Sequence, residues 1–136
     1  MMKKILPISI FILLLLTETT VLACRCNPPD VARAWKDASL VVRVKVDDVI
    51  ILPSGEGSSA IVTVAASWKK DSPKRLVVSS FTNCAFNWKA GKEYVLFLRK
   101  ESNGLYSSDR CMGNRPGNDL DAIKWLDQHG QVKKVK

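Results

Sequence analysis

The placement of four cysteines constrains this chain more than any other feature. Two form the pair Cys24-Arg25-Cys26, set directly after an apolar segment, while Cys84 and Cys111 lie far along the chain. The preceding residues have the layout of a secretory signal peptide. Lys3 and Lys4 give a positive start, Ile5 to Leu16 an apolar run of about a dozen residues, and Val21-Leu22-Ala23 a small-residue pattern for cleavage. That run falls short of the roughly 20 apolar residues with which a helix spans a bilayer. Residues 1–23 are therefore expected to be removed. Residues 24–136 then form one domain that begins on Cys24, with no transmembrane segment, in a secreted or periplasmic location.

Export implies an oxidising compartment, where an even number of cysteines in a small domain reads as disulfides. Zinc would need different spacing, since the chain has no Cys-x-x-Cys and a single histidine, His129. Four cysteines allow three pairings. A Cys24–Cys26 bridge would close a tiny strained ring, which favours a distant partner for each. In an extended segment the two side chains share one face, so they could stitch the N-terminal strip to two other parts of the fold. Each bridge would close a loop of many tens of residues, worth roughly 4 kcal/mol in the chain-entropy model. Which distant cysteine pairs with which stays open on these grounds.

The remainder reads as mainly β. Val31, Ala34 and Trp35 have helical spacing after Asp30, a residue suited to capping a short helix. "LVVRVKVDDVI" alternates, with Leu40, Val42, Val44 and Val46 on one face and Arg43, Lys45 and Asp47 on the other. Further strands are expected in "AIVTVAASWKK", "RLVVSSF", "KEYVLFLRK" and "LYSSDRC", separated by turn-rich segments such as "PSGEGSS" and "SNG". "DLDAIKWLDQHG" reads as a helix with Leu120, Ile123 and Leu126 on its inner face and Gly130 as its stop. Five strands with flanking short helices and two disulfides suit a Greek-key barrel of OB-fold type. A β-sandwich would need about seven strands.

The motifs "CRCNPP", "ASLVVRVKV", "TNCAFNWKAGKEYVLFL" and "GLYSSDRC" together resemble the tissue inhibitors of metalloproteinases, within the wider netrin-like family. The resemblance covers nearly all of residues 24–136 and is most specific at the Cys-x-Cys-x-Pro start. It implies an OB-fold barrel and the pairings Cys24–Cys84 and Cys26–Cys111. It also implies a function: the α-amine and carbonyl of a mature N-terminal Cys24 chelate the catalytic zinc of a partner metalloprotease. Arg25, Cys26, Asn27 and Pro28 would complete the contact ridge. The chemistry is coherent, because a catalytic zinc keeps one position for water, and a five-membered chelate would displace that water. An α-amine titrates near pH 8, so a useful fraction is neutral at physiological pH. The chain departs from the family at Arg25, where a small or hydroxyl residue is usual. It has Lys36 where a further cysteine would fall, and no counterpart of the family's second domain.

Other functions are expected less. Two alternatives to inhibition are a non-inhibitory netrin-like binding module and a lipoprotein anchored through Cys24, for which "VLAC" is a loose lipobox. Lipidation would leave one of the other three cysteines unpaired. No enzyme is expected, since His129 sits in a polar tail, the serines lack a plausible base, and no phosphate loop is present. No cofactor is implied. The chain carries a net charge of +8, of which residues 1–23 contribute +1. Apart from the tail "VKKVK" the basic residues are scattered, which suggests at most a polyanion or acidic surface as a further partner. Nucleic acid is not expected. Trp68, Phe81, Trp88, Tyr94 and Tyr106 are aromatics that could stack bases, but most are better assigned to packing.

Overall fold

The computed structural model describes residues 24–53, 55 and 57–136; the signal-peptide reading of residues 1–23 lies outside them. Helix α1 spans Val31–Asp37, and Asp30 caps it by accepting a hydrogen bond from the Arg33 N–H at 2.8 Å. Strands β1 (Leu40–Ile51), β2 (Ser58–Ser67), β3 (Arg75–Ser80), β4 (Glu93–Lys100), β5 (Tyr106–Ser107) and β6 (Arg115–Pro116) follow, and helix α2 (Leu120–His129) ends the regular structure.

The strands close into a five-stranded barrel in the order β1-β2-β3-β5-β4, with β4 returning to β1. Only β3 and β5 pair in parallel; the other barrel pairings are antiparallel. This is the OB-fold-type barrel. Strand β1 can serve two neighbours because it is long and carries register shifts at Arg43/Val44 and Val46/Asp48, which bend it round the barrel. The expected fifth strand shrinks to two residues, and a short sixth, β6, pairs with β4 outside the closed ring.

Period-two alternation places two cores on opposite sides of the same strands. Leu40, Val42, Val44 and Val46 of β1 fill the barrel with Val62, Val78, Leu96 and Leu98. Val41, Val95 and Phe97 face the other way, where Ala34, Ala38, Trp68 and Leu126 cover them. The helices thus seal the outer face of β1 and β4, which explains why "YVLFL" reads as a continuous apolar run rather than an alternating one.

One further detail differs from expectation. Leu120 is 75% exposed, and the inner face of α2 is made instead by Ala122, Ile123 and Leu126, with Trp125 set edge-on to Trp35. Gly130 ends the helix as expected, in an extended conformation with φ −102°. Its reason is space, since a Cβ there would lie 2.8 Å from the Trp35 ring. Among the aromatics, Trp68 and Trp88 are buried, Tyr94 and Tyr106 half-buried, and Phe81 exposed. No helix among the described residues is long and apolar enough to cross a membrane.

Candidate functional site

Residues 24–30 run without regular secondary structure across one end of the barrel. Their position is fixed covalently: Cys24 is bonded to Cys84, in the loop after β3, and Cys26 to Cys111, in the loop after β5. These are the pairings the resemblance implies. The bridges lie side by side, with Cys24 Sγ and Cys111 Sγ 3.9 Å apart. Cys24, Cys84 and Cys111 cluster closely enough to suggest a metal site, yet every one of these sulfurs is consumed in a disulfide.

The loops carrying the partner cysteines are themselves tied together. The Arg110 N–H donates to the Cys84 carbonyl at 2.9 Å, and the Arg110 guanidinium to the Asn83 carbonyl at 3.3 Å. The Asp109 carboxylate accepts from the Cys111 N–H at 2.7 Å, while Thr82 accepts from the Cys84 N–H at 3.2 Å. Further along the strip, the Pro29 carbonyl accepts from the Arg115 guanidinium at 3.3 Å. Gly113 makes the close approach there possible: its φ is +89°, and a Cβ would sit 2.9 Å from Ala34 Cβ and 3.2 Å from Pro29 Cγ. Only glycine fits both the conformation and the space.

A rigid strip with projecting side chains results. Cys24 is half-buried, whereas Arg25, Cys26, Asn27 and Pro28 are exposed and contiguous. On one side Cys24, Cys26 and Pro28 border a shallow groove of about 360 Å³ with Phe86 and Arg110. Cys24, Arg25, Cys26 and Asn27 border a second depression of about 430 Å³. Beyond Phe86 and Arg110 the surface opens into a larger groove of about 650 Å³, bounded by Ile51, Phe81 and Trp88. Ile51 and Phe81 are 74% and 53% exposed, so this end of the barrel offers apolar contact area beside the strip.

Arg110, Phe86, Phe81 and Ile51 were not legible as site residues from the sequence. The signal available for the first two was adjacency, because Arg110 precedes Cys111 and Phe86 follows Cys84 by two residues. His129 lies far from this end, stacked on Trp125 with ring centroids 4.3 Å apart and its Nδ1 2.9 Å from the Trp125 carbonyl oxygen. Ser59 and Ser79 hydroxyls pair with each other at 3.1 Å, and Ser80 accepts from the Phe86 N–H at 2.8 Å.

No protein-family model matches the chain, and no curated protein is significantly similar to it. The likeness to the tissue inhibitors of metalloproteinases accordingly rests on the motifs themselves.

Proposed function

We propose that this chain is an exported, netrin-like inhibitor of zinc metalloproteases, resembling the tissue inhibitors. Cleavage after Ala23 would free the Cys24 α-amine, which with the Cys24 carbonyl would chelate the zinc of the target protease. The observation that carries this reading is the doubly bridged strip, with Cys24 and Cys26 each bonded to a different loop and exposed side chains around them. A free terminus normally loses much conformational freedom on binding. One pinned at two alternate residues has already lost it, so less binding energy goes into ordering. Arg25, exposed beside Cys24, sets the target class. Burying its guanidinium in an apolar pocket would be costly without a carboxylate partner, so the reading favours proteases with an acidic pocket next to the zinc.

Inhibition of purified zinc endopeptidases by the exported protein tests this directly. Adding one alanine before Cys24 should weaken inhibition at least tenfold, about 1.4 kcal/mol, while both disulfides and the melting temperature stay as they were. Arg25→Thr should shift preference toward proteases with apolar pockets. If a folded protein with a free Cys24 inhibits no zinc protease, acidic-pocket enzymes included, the reading is wrong and a netrin-like binding module takes its place. An intact mass carrying acyl chains would also exclude chelation, because a lipid on Cys24 would displace its bridge to Cys84.

A further inference from the structure

Strand β3 begins, at its end away from Cys84, in the turn that connects it to β2. That turn, residues 67–75, holds Lys69, Lys70, Lys74 and Arg75. The fold brings the C-terminal segment, residues 131–136, against it, and with it Lys133, Lys134 and Lys136. The pairing is specific. The Lys133 N–H donates to the Ser67 carbonyl at 2.8 Å, the Ser72 N–H to the Lys134 carbonyl at 2.9 Å, and the Lys136 N–H to the Ser72 carbonyl at 2.9 Å. The Lys74 N–H donates to the Lys136 main-chain oxygen at 2.6 Å, and the Asp71 carboxylate accepts from the Lys134 N–H at 3.1 Å. Val135 packs inward against the barrel core, which leaves Lys134 and Lys136, two residues apart, exposed on the outer side.

These two segments hold seven basic side chains and one carboxylate, Asp71, a net +6. Residues 24–136 as a whole carry 8 − 1 = +7, so the rest of the domain is close to neutral. Two of the seven are engaged within the protein. The Lys69 amine turns back to the carbonyls of Trp35, Lys36 and Ala38 at the end of α1 and lies 5.4 Å from the centroid of the Trp35 ring. Lys133 donates to the Gln131 side chain at 3.0 Å. Lys70, Lys74, Arg75, Lys134 and Lys136 are exposed, and none of the three ion pairs among the described residues uses any of them. Burial and, next, the neighbouring Lys70 charge lower the Lys69 amine from its ordinary value, with the nearby Asp37 carboxylate acting against them.

Gathering seven basic side chains against few carboxylates opposes folding: Asp71 accepts from the Lys134 N–H, Asp127 from the Trp68 indole N–H, and Asp37 lies near Lys69. Here it is done by hydrogen-bonding a cationic tail onto a cationic turn, which fixes five free cations in one place. The row ends at Arg75, since the neighbouring Thr63 donates to the Asp47 carboxylate and the exposed Lys45 beyond it lies opposite Glu93 of β4. We infer that this end of the barrel is a binding site for a linear anionic polymer bearing sulfate or phosphate groups. A polymer suits the arrangement better than a bilayer. The cations are spread along a tail and turn, about 7 Å apart where they alternate on an extended strand, and the only large exposed apolar side chain on these segments is Val132. The site lies at the opposite end of β3 from the Cys24 strip, so both could be occupied at once.

The test uses the full exported protein with heparin as the probe polymer, and phosphatidylglycerol-containing vesicles for comparison. The triple variant Lys74→Gln, Lys134→Gln, Lys136→Gln should bind heparin at least tenfold more weakly at about 0.1 M salt and flatten the salt dependence by about two charges. A control triple, Lys89→Gln, Lys100→Gln, Lys124→Gln, removes the same charge elsewhere and should change affinity less than about threefold. Matched melting temperatures would show that all three proteins fold. Equal weakening by both triples would reduce the effect to net charge and overturn the site. Absence of heparin binding by the parent would also overturn it, as would stronger binding to vesicles than to heparin.

Discussion

The two ends of β3 are held by different physics. At the Cys84 end the N-terminal strip is locked by two covalent bridges spanning 60 and 85 residues. At the Arg75 end the C-terminal tail is held by a handful of hydrogen bonds and one inward valine. The covalent end carries few charges and a strip aimed outward; the hydrogen-bonded end carries nearly all the excess charge. A bridge acts chiefly by restricting the unfolded chain, whereas each tail hydrogen bond contributes only about 1 kcal/mol net. Rigidity and charge therefore lie at opposite ends, which is what the proposed chelating terminus and the proposed salt-sensitive contact would each need.

The sharpest way to break this contrast is to remove the covalent lock. Replacing Cys26 and Cys111 together by serine should lower stability by about 4 kcal/mol, read from denaturant unfolding. Hydrogen exchange in residues 24–30 should rise with it. A loss below about 1 kcal/mol would mean that the loops and Gly113 hold the strip without that bridge. Gly113→Ala tests the non-covalent share of the same lock. With φ at +89° and Ala34 and Pro29 in the way, it should cost about 2 kcal/mol and move the strip while both disulfides remain. At the other end, Asp71→Ala removes the one carboxylate that holds the tail. It should cost about 1 kcal/mol or less and release amide protection at Ser72 and Lys74, leaving the strip untouched.

The barrel was legible in the sequence because alternation is a local signal. "LVVRVKV" states which side of β1 faces inward without knowledge of its neighbours. The same signal failed at β5 and β6, where two residues apiece are too short to show any period. The disulfide pairing was out of reach of spacing arguments and came only through resemblance, since it depends on where loops after β3 and β5 meet. Arg25 to Pro28 could be named from their neighbours in the chain. Arg110 and Phe86 had only their adjacency to Cys111 and Cys84 to mark them, and the basic end had no local signal as a unit, because it is assembled from segments distant in sequence. The tail "VKKVK" was visible as basic, yet its coupling to "WKKDSPKR" is a property of the fold alone.

Helix α2 connects the two ends. Its cap Asp119 pairs at 3.6 Å with Arg115, which donates to the Pro29 carbonyl of the strip, and its last turn leads through Gly130 to the tail. Its inner face shows why the sequence reading misplaced one residue. At 100° per residue, Leu120 and Leu126 are six positions and so 120° apart, too far to share a narrow stripe. Leu126 is fully buried and Leu120 is 75% exposed, with Ala122 and Ile123 completing the stripe. Leu120→Ser should therefore change stability by less than about 0.5 kcal/mol, whereas Leu126→Ala should cost about 3 kcal/mol. Thermal unfolding of both variants decides the matter. A comparable loss from Leu120→Ser would mean that Leu120 is covered in solution, by a partner or a second copy, at the start of the helix that links the strip to the basic end.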